Sequence, residues 1–322
     1  MVWLSSTEEV RMAKKKKVEK TYSELLRETG RIISASYYDY QNIRISMLNR
    51  VRDVVRRKNE GIAFDEVEEK KETKIEGIYI DKNLLSTLED LKTEGKITEK
   101  ERAYLHRTLE LAFETKKTET AYANLMDEYI ETEPIWVDFM ANIPGIGKIL
   151  STNLIKEFGY CERYEHVSSL WKHAGQSVEE DGTAPRLRKG KQPDFSPKLK
   201  TFVWKIGDCL MKLNFKRDGE ERTSLFYRRI YEQEKTKQLA RKFKKGELAK
   251  KFNGYKDEDT QLSKGHAHNR ALRKMRKIFL EHYWVASREL SGLDVGKPYQ
   301  FVYPGKDGKV HTTYMDWREA IA

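Results

Sequence analysis

Asn142-Ile143-Pro144-Gly145-Ile146-Gly147-Lys148-Ile149-Leu150 is the stretch on which the reading of this chain turns. Two glycines flank one apolar residue, and Leu150, Leu154, Ile155 and Phe158 then recur at the spacing of an amphipathic helix. This is the pattern of a helix-hairpin-helix element. Gly145 and Gly147 admit backbone angles and close approaches that a Cβ would block, while Ile146 plugs the groove between the two helices. The free N–H groups that open the second helix, helped by the helix dipole and by Lys148, can meet a phosphate. Such contacts hold a nucleic-acid backbone without reading its sequence. A glycine turn with no ligand is the alternative. A nucleotide-binding P-loop is disfavoured, because Gly147-Lys148 is followed by Ile149 rather than Ser or Thr and no strand signal precedes the glycines.

Charge points the same way. Over 322 residues the net charge is +11, but residues 1–140 hold 25 Lys/Arg against 28 Asp/Glu, whereas residues 141–322 hold 37 against 23. Residues 185–250 alone carry 20 basic and 8 acidic side chains. A polyanion is the natural partner for so localised a surplus, a solvated basic face being the alternative. The 38% hydrophobic content supports packed cores. Apolar runs fall far short of the roughly 20 residues that span a bilayer, and the start lacks a signal-like apolar stretch, so no membrane partner is expected and an intracellular, nucleoid-associated location is. Cys161 and Cys209 are too few for a disulfide framework and are expected as buried thiols.

Outward from the glycines, the chain reads as mainly α. After the basic run Lys14 to Lys17, Leu25, Ile32, Tyr40, Ile43, Met47, Val51 and Val54 recur with helical spacing and predict one long amphipathic helix. Asp65 to Lys74 reads as an exposed linker. Leu84, Leu85, Leu88 and Leu91 predict a short helix stopped by Gly95, and Thr98 with Glu101 forms a capping-box signal for another. That helix carries Leu105, Leu109, Ala112, Tyr122, Leu125 and Tyr129 and ends near Pro134. Residues 1–135 are therefore expected to form long helices in a coiled-coil-like hairpin, a candidate surface for homo-oligomerisation. Residues 136–322 are expected to form a basic helix-hairpin-helix domain.

Within that second domain, Ser196 and Pro197 read as the cap and first residue of a helix bearing Phe202, Val203, Ile206, Leu210 and Leu213. Lys198, Lys200, Lys205 and Lys212 project from it. Lys235 to Lys251, with Arg241 and Lys242, reads as a solvated helix or a phosphate-tracking arm. His266, His268 and His282 lack a cysteine or carboxylate set at ligand spacing, so no metal and no cofactor is expected, and they read as surface or phosphate-contacting histidines. A final helix with Leu272, Met275, Phe279 and Tyr283 closes the core, and a small β-hairpin is expected between Tyr299 and Tyr314.

From Ile143 to about Tyr299 the chain resembles the C-terminal domain of the Piv-type DEDD insertion-sequence transposases, the bridge-RNA-guided recombinases. The resemblance rests on Ile143 to Gly147, Phe158-Gly159 with Arg163-Tyr164, and Ser169-Leu170 leading to Ala174-Gly175. It continues in Arg186-Leu187-Arg188-Lys189-Gly190-Lys191, in Ser196 to Lys200, and in Gly265 to Arg270 with Arg273-Lys274-Met275. The resemblance implies a DNA-facing loop beyond Ala174-Gly175 with a serine nucleophile. Ungapped counting puts Thr183 there, with Ser177 and Ser196 as the alternatives. It also implies a RuvC-like nuclease with dispersed metal-binding carboxylates, which the first 140 residues do not display as apolar strands bearing paired acids. The resulting expectation is a DNA-binding protein of mobile-element type, noncatalytic or accessory, contacting backbone through Gly145, Ile146, Gly147 and Lys148. The basic contacts are Arg186, Arg188, Lys189 and Lys191, then Lys198, Lys200, Arg241, Lys242, Arg270 and Arg273. Two alternatives stand beside it: an active transposase using a loop hydroxyl, and a structured-RNA-binding ribonucleoprotein factor.

Overall fold

The computed structural model describes residues 22–61, 82–179, 183–296 and 316–321. Among them the chain is mainly helical, with one two-stranded antiparallel sheet. No helix among these residues is long and apolar enough to cross a membrane. The Lys14 to Lys17 run, the Asp65 to Lys74 linker and the Tyr299 to Tyr314 hairpin fall outside the described residues. Contacts divide the chain into one unit of Arg31–Glu128 and another of Met1–Gly30 with Tyr129–Ala322. Helices α1 (Tyr22–Glu60) and α3 (Glu99–Ile130) therefore contribute to both.

The 31–128 unit is a three-helix arrangement rather than a two-helix hairpin. Leu48, Val51 and Val55 of α1 share a core with Leu84, Leu88 and Leu91 of α2 (Lys82–Thr93) and with Leu109 and Ala112 of α3. The capping box forms as expected: Thr98 N–H donates to Glu101 Oε2 at 2.7 Å, and Glu101 N–H donates back to Thr98 Oγ1 at 3.2 Å. Gly95 ends α2 at φ +70°. Glu119 is buried in this unit and held by Arg44 Nε at 2.5 Å. The apolar stripe expected to be core is corrected in part, since Leu25, Ile32 and Ile43 of α1 and Leu125 of α3 are exposed. Residues 25, 32 and 43 share one face at 3.6 residues per turn, and the buried stripe runs roughly 130° away from it.

The other unit is built around α9 (Lys264–Leu290). From Met275 to Arg288 almost every side chain of this helix is buried on all sides, so it is the axis of the domain rather than its closing element. Among the described residues five elements pack around it: a π-helical turn at Ile135–Phe139, α5 (Val167–His173), α6 (Pro197–Leu213), α7 (Phe226–Ala240) and the short helix Trp317–Ile321. Ser196 caps α6 by accepting from Leu199 N–H at 3.3 Å, with Pro197 in the first turn as expected. Val203, Ile206 and Leu210 are buried in its face, whereas Leu213 is exposed.

After α6 the chain turns through β1 (Phe215–Asp218) and β2 (Glu221–Ser224), paired from Phe215↔Ser224 to Asp218↔Glu221. Gly219-Glu220 forms the two-residue turn of this hairpin, with Gly219 first and at φ +58°. Short α8 (Glu247–Lys251) follows α7, and α10 (Trp317–Ile321) packs its Trp317 against Phe139 of the π-helical turn.

Candidate nucleic-acid interface

The chain turns at Gly145 between a 3-10 turn at Met140–Asn142 and the helix that starts at Lys148, and the two glycines have different reasons to be there. Gly145 sits at φ +101°, where a Cβ would lie 3.0 Å from the carbonyl oxygen of Cys209 and 3.3 Å from Leu213 Cβ. Asn214, buried at the end of α6, donates its side-chain N–H to the carbonyl of Pro144 at 3.2 Å. The turn is thus clamped onto α6, and Ile146 is buried in the core. Ile146 thus spends its side chain on packing, while Gly145 is half-buried in the turn. Gly147 is the exposed N-cap of α4 (Lys148–Phe158), with open space where a Cβ would be. Lys148 Nζ lies 3.7 Å from Glu131 Oε1. Asn142, Pro144 and Gly147 are the exposed positions of the motif, with Lys148 half-buried.

A second basic surface lies along α6 and α9. Arg270, Arg273 and Arg276 fall three residues apart in the first half of α9 and so make one stripe. Arg270 donates to Gln238 Oε1 at 2.9 Å and rests over the Phe252 ring. Arg276 is 7% exposed and donates its Nε–H to the Leu272 carbonyl at 3.1 Å. Burial, then the neighbouring Arg273, push its pKa down to about 10. Arg273 has no hydrogen-bond or ion-pair partner among the described residues, and burial followed by Arg270 lowers its pKa as well. Recessed cations without counter-charges cost solvation energy, and an anionic ligand would repay it.

These arginines line a cleft of about 770 Å³ together with Thr183, Arg186, Tyr255 and His266. Asp259 is the acidic residue in its wall, and its Oδ2 already accepts from Lys256 N–H at 2.7 Å. His266 meets Tyr255 Oη through Nδ1 at 3.0 Å. Burial, then Arg270, Arg273 and Arg186, hold its pKa below the ordinary histidine value.

Local packing explains why these groups meet. The chain turns at Ala174-Gly175, where Gly175 has φ +63° and a Cβ would press at 3.0 Å on both Phe195 and Lys200. Ser196 N–H donates to His173 carbonyl at 2.9 Å, returning the loop to the start of α6. Lys200 then bonds the Pro185 carbonyl and stacks over Phe195 at 4.9 Å, fixing the segment that carries Thr183 and Arg186. On the far wall, Phe243, Leu248, Phe252 and Leu262 form a satellite core. The expected solvated helix or arm over Lys235 to Lys251 is therefore corrected to the end of α7 and a folded flap.

Other expected contacts are distributed around this cleft. Arg188, Lys189 and Lys191 are exposed on a turn at Gly190, Lys198 is exposed in the first turn of α6, and Lys242 is exposed beside the flap. Arg241 stacks over Phe243 at 4.6 Å. Ser196 is a cap, and Ser177 is half-buried, so of the three candidate hydroxyls Thr183 is the one lining the cleft. The histidines are corrected: His282 is fully buried against Tyr227 Oη at 2.9 Å, and His268 is held by Tyr231 Oη at 2.8 Å. No group of three or more His, Cys, Asp or Glu among the described residues is placed to hold a metal ion. Cys161 is buried, but Cys209 is only half-buried. Sequence reasoning missed Arg276, Tyr255 and Phe252, although the three-residue step from Arg270 to Arg273 extends to Arg276. Comparison with family models, with curated proteins and with solved structures returns no match for the chain.

Proposed function

We propose that this chain binds nucleic acid, most of all DNA, by its sugar–phosphate backbone, in a noncatalytic or accessory role related to transposition. The observation that carries this reading is the meeting of Arg186, Arg270, Arg273 and Arg276 at one cleft, with Arg273 recessed and unpaired among the described residues. The turn of Arg188, Lys189 and Lys191 and the Gly147-Lys148 helix start supply further backbone contacts. The resemblance to the Piv-type transposase C-terminal domain supports the same reading. The exposed stripe of Leu25, Ile32 and Ile43 supports self-association through the N-terminal helices. Phosphate chemistry is common to DNA and RNA, so a ribonucleoprotein role draws on the same residues.

Salt dependence tests the reading. Affinity for a fluorescent duplex should fall steeply with salt, and replacing Arg186, Arg188, Lys189 and Lys191 with Ala should flatten the log–log slope by about four if each neutralises one phosphate. A slope that the four replacements leave unchanged removes this segment from the interface. A second reading, an active transposase, is favoured by one observation: the Thr183 hydroxyl residue lines the arginine cleft rather than the outer surface of its loop.

A further inference from the structure

Arg273 and Arg276 stand between two clefts rather than at the bottom of one. On one side is the 770 Å³ cleft, whose wall also carries the Tyr255 and His266 rings, 5.8 Å apart. On the other is a recess of about 330 Å³ whose wall includes Gly175, Gln176, Lys200 and Trp204 together with the same two arginines. Trp204 is 48% exposed, and no aromatic ring stacks on it among the described residues. The arrangement is a cationic ridge with an aromatic recess on each side.

Resting on the nucleic-acid reading above, we propose that the ligand of this site is an unpaired strand, with a phosphate on Arg273 and Arg276 and its flanking bases entering the two recesses. One base would lie against Tyr255 and His266, and the other against Trp204. A double helix presents phosphates on its outside but keeps its bases stacked within, so it has nothing to place in either recess. The larger cleft is also of a size that encloses one small ligand, with room for a nucleotide and none for a duplex. Aromatic platforms beside a cationic track are the physical means of holding a single strand, since every base offers a π face. Recessed arginines serve such a strand better than exposed lysines, because a thin backbone can reach them.

The test is fluorescence anisotropy on the full chain with three labelled probes at one salt concentration: oligo(dT), oligo(rU) and a duplex of matched length. Both or either single strand should bind at least about tenfold tighter than the duplex, and the better of the two identifies the sugar. Trp204→Ala, at an exposed position, should reduce the single-strand to duplex affinity ratio by about 5- to 100-fold, the size of one lost base–aromatic stack. Trp204→Phe should restore most of it. Duplex binding equal to or tighter than single-strand binding, or an affinity ratio unmoved by both Trp204→Ala and Tyr255→Ala, overturns the inference while leaving backbone binding intact. Failure of all three probes to bind overturns the nucleic-acid reading itself.

Discussion

Arg276 lies directly across Gly207: a Cβ at position 207 would stand 2.7 Å from Arg276 Cδ and 2.8 Å from its Cγ. Gly207 is in the middle of α6 at a position with ordinary helical angles, so neither a turn nor a positive φ requires it. Its role is to let the arginine stem cross the helix and deliver the guanidinium to the cleft.

Gly207→Ala should therefore be destabilising where helix propensity alone would make it favourable. Alanine gains about 0.5–1 kcal/mol over glycine in a helix interior, but overpacking a filled site costs about 1–3 kcal/mol. The displaced Arg276 should also weaken nucleic-acid binding several-fold. Thermal unfolding and anisotropy measured on the same preparation check both effects. An unchanged Tm with unchanged affinity would mean that the arginine stem swings aside freely and is no part of the site.

The two hairpin glycines should respond oppositely. Gly145→Ala forces a Cβ into a positive-φ position against the Cys209 carbonyl, and strain of this kind costs about 1–3 kcal/mol, so Tm should drop. Gly147→Asp meets open space at an N-cap, where Asp is a preferred residue, so stability should hold or rise slightly. Its carboxylate would repel a phosphate at the α4 start, and an affinity loss of tenfold, about 1.4 kcal/mol, is expected. A fully stable Gly147→Asp protein with undiminished affinity would assign the whole hairpin to packing.

Local signals were legible and long-range ones were not. The caps at Thr98 and Ser196 involve side chains three residues from their partners, so sequence spacing contains the whole interaction. Periodicity found α1 but selected Leu25, Ile32 and Ile43, because a helix with two apolar stripes does not itself say which one a neighbour covers. The cleft joins Thr183 and Arg186 to Arg273 and Arg276, about ninety residues later, through packing at Gly175 and Gly207 that no local pattern announces. The resemblance brought attention to the loop around Thr183 and to Arg270 and Arg273, but not to the flap. Charge counting there saw Arg241 to Lys245 as a solvated run and overlooked that Phe243, Leu248 and Phe252 are spaced to make a small core.

His266 should give stability and binding opposite pH dependences. Its folded pKa is depressed by burial and by three arginines, so the unfolded chain takes up the proton first as pH falls. The stability contribution is present above the unfolded value of about 6.5 and is lost as pH drops through the folded pKa. A bound phosphate favours the imidazolium, so affinity should rise over the same window while Tm falls. His266→Asn, which keeps a polar side chain able to hydrogen-bond but does not titrate, should flatten the affinity trend between pH 7.5 and 5.5. A pH trend identical in the variant would place the titrating group elsewhere.

The last expectation is that the purified chain forms no covalent bond to DNA. Attack by the Thr183 hydroxyl on a phosphodiester needs a base within hydrogen-bond reach, and its methyl group crowds the approach to phosphorus. Of the titratable bases in the cleft wall, His266 is made a weaker base by burial and by Arg270, Arg273 and Arg186, and its Nδ1 meets Tyr255 Oη, while Asp259 Oδ2 accepts from the Lys256 backbone. The arginines would stabilise a bound phosphate in its ground state, and binding alone does not accelerate transfer unless the transition state is held more tightly. Supercoiled, linear and branched DNA should therefore be recovered unjoined to protein after incubation with Mg²⁺ or Mn²⁺ and with any copurifying RNA, as read by denaturing gel. A protein-linked strand end that disappears in Thr183→Ala, and persists in Ser177→Ala and Ser196→Ala, would replace the accessory reading with a transposase that uses this cleft as its active site.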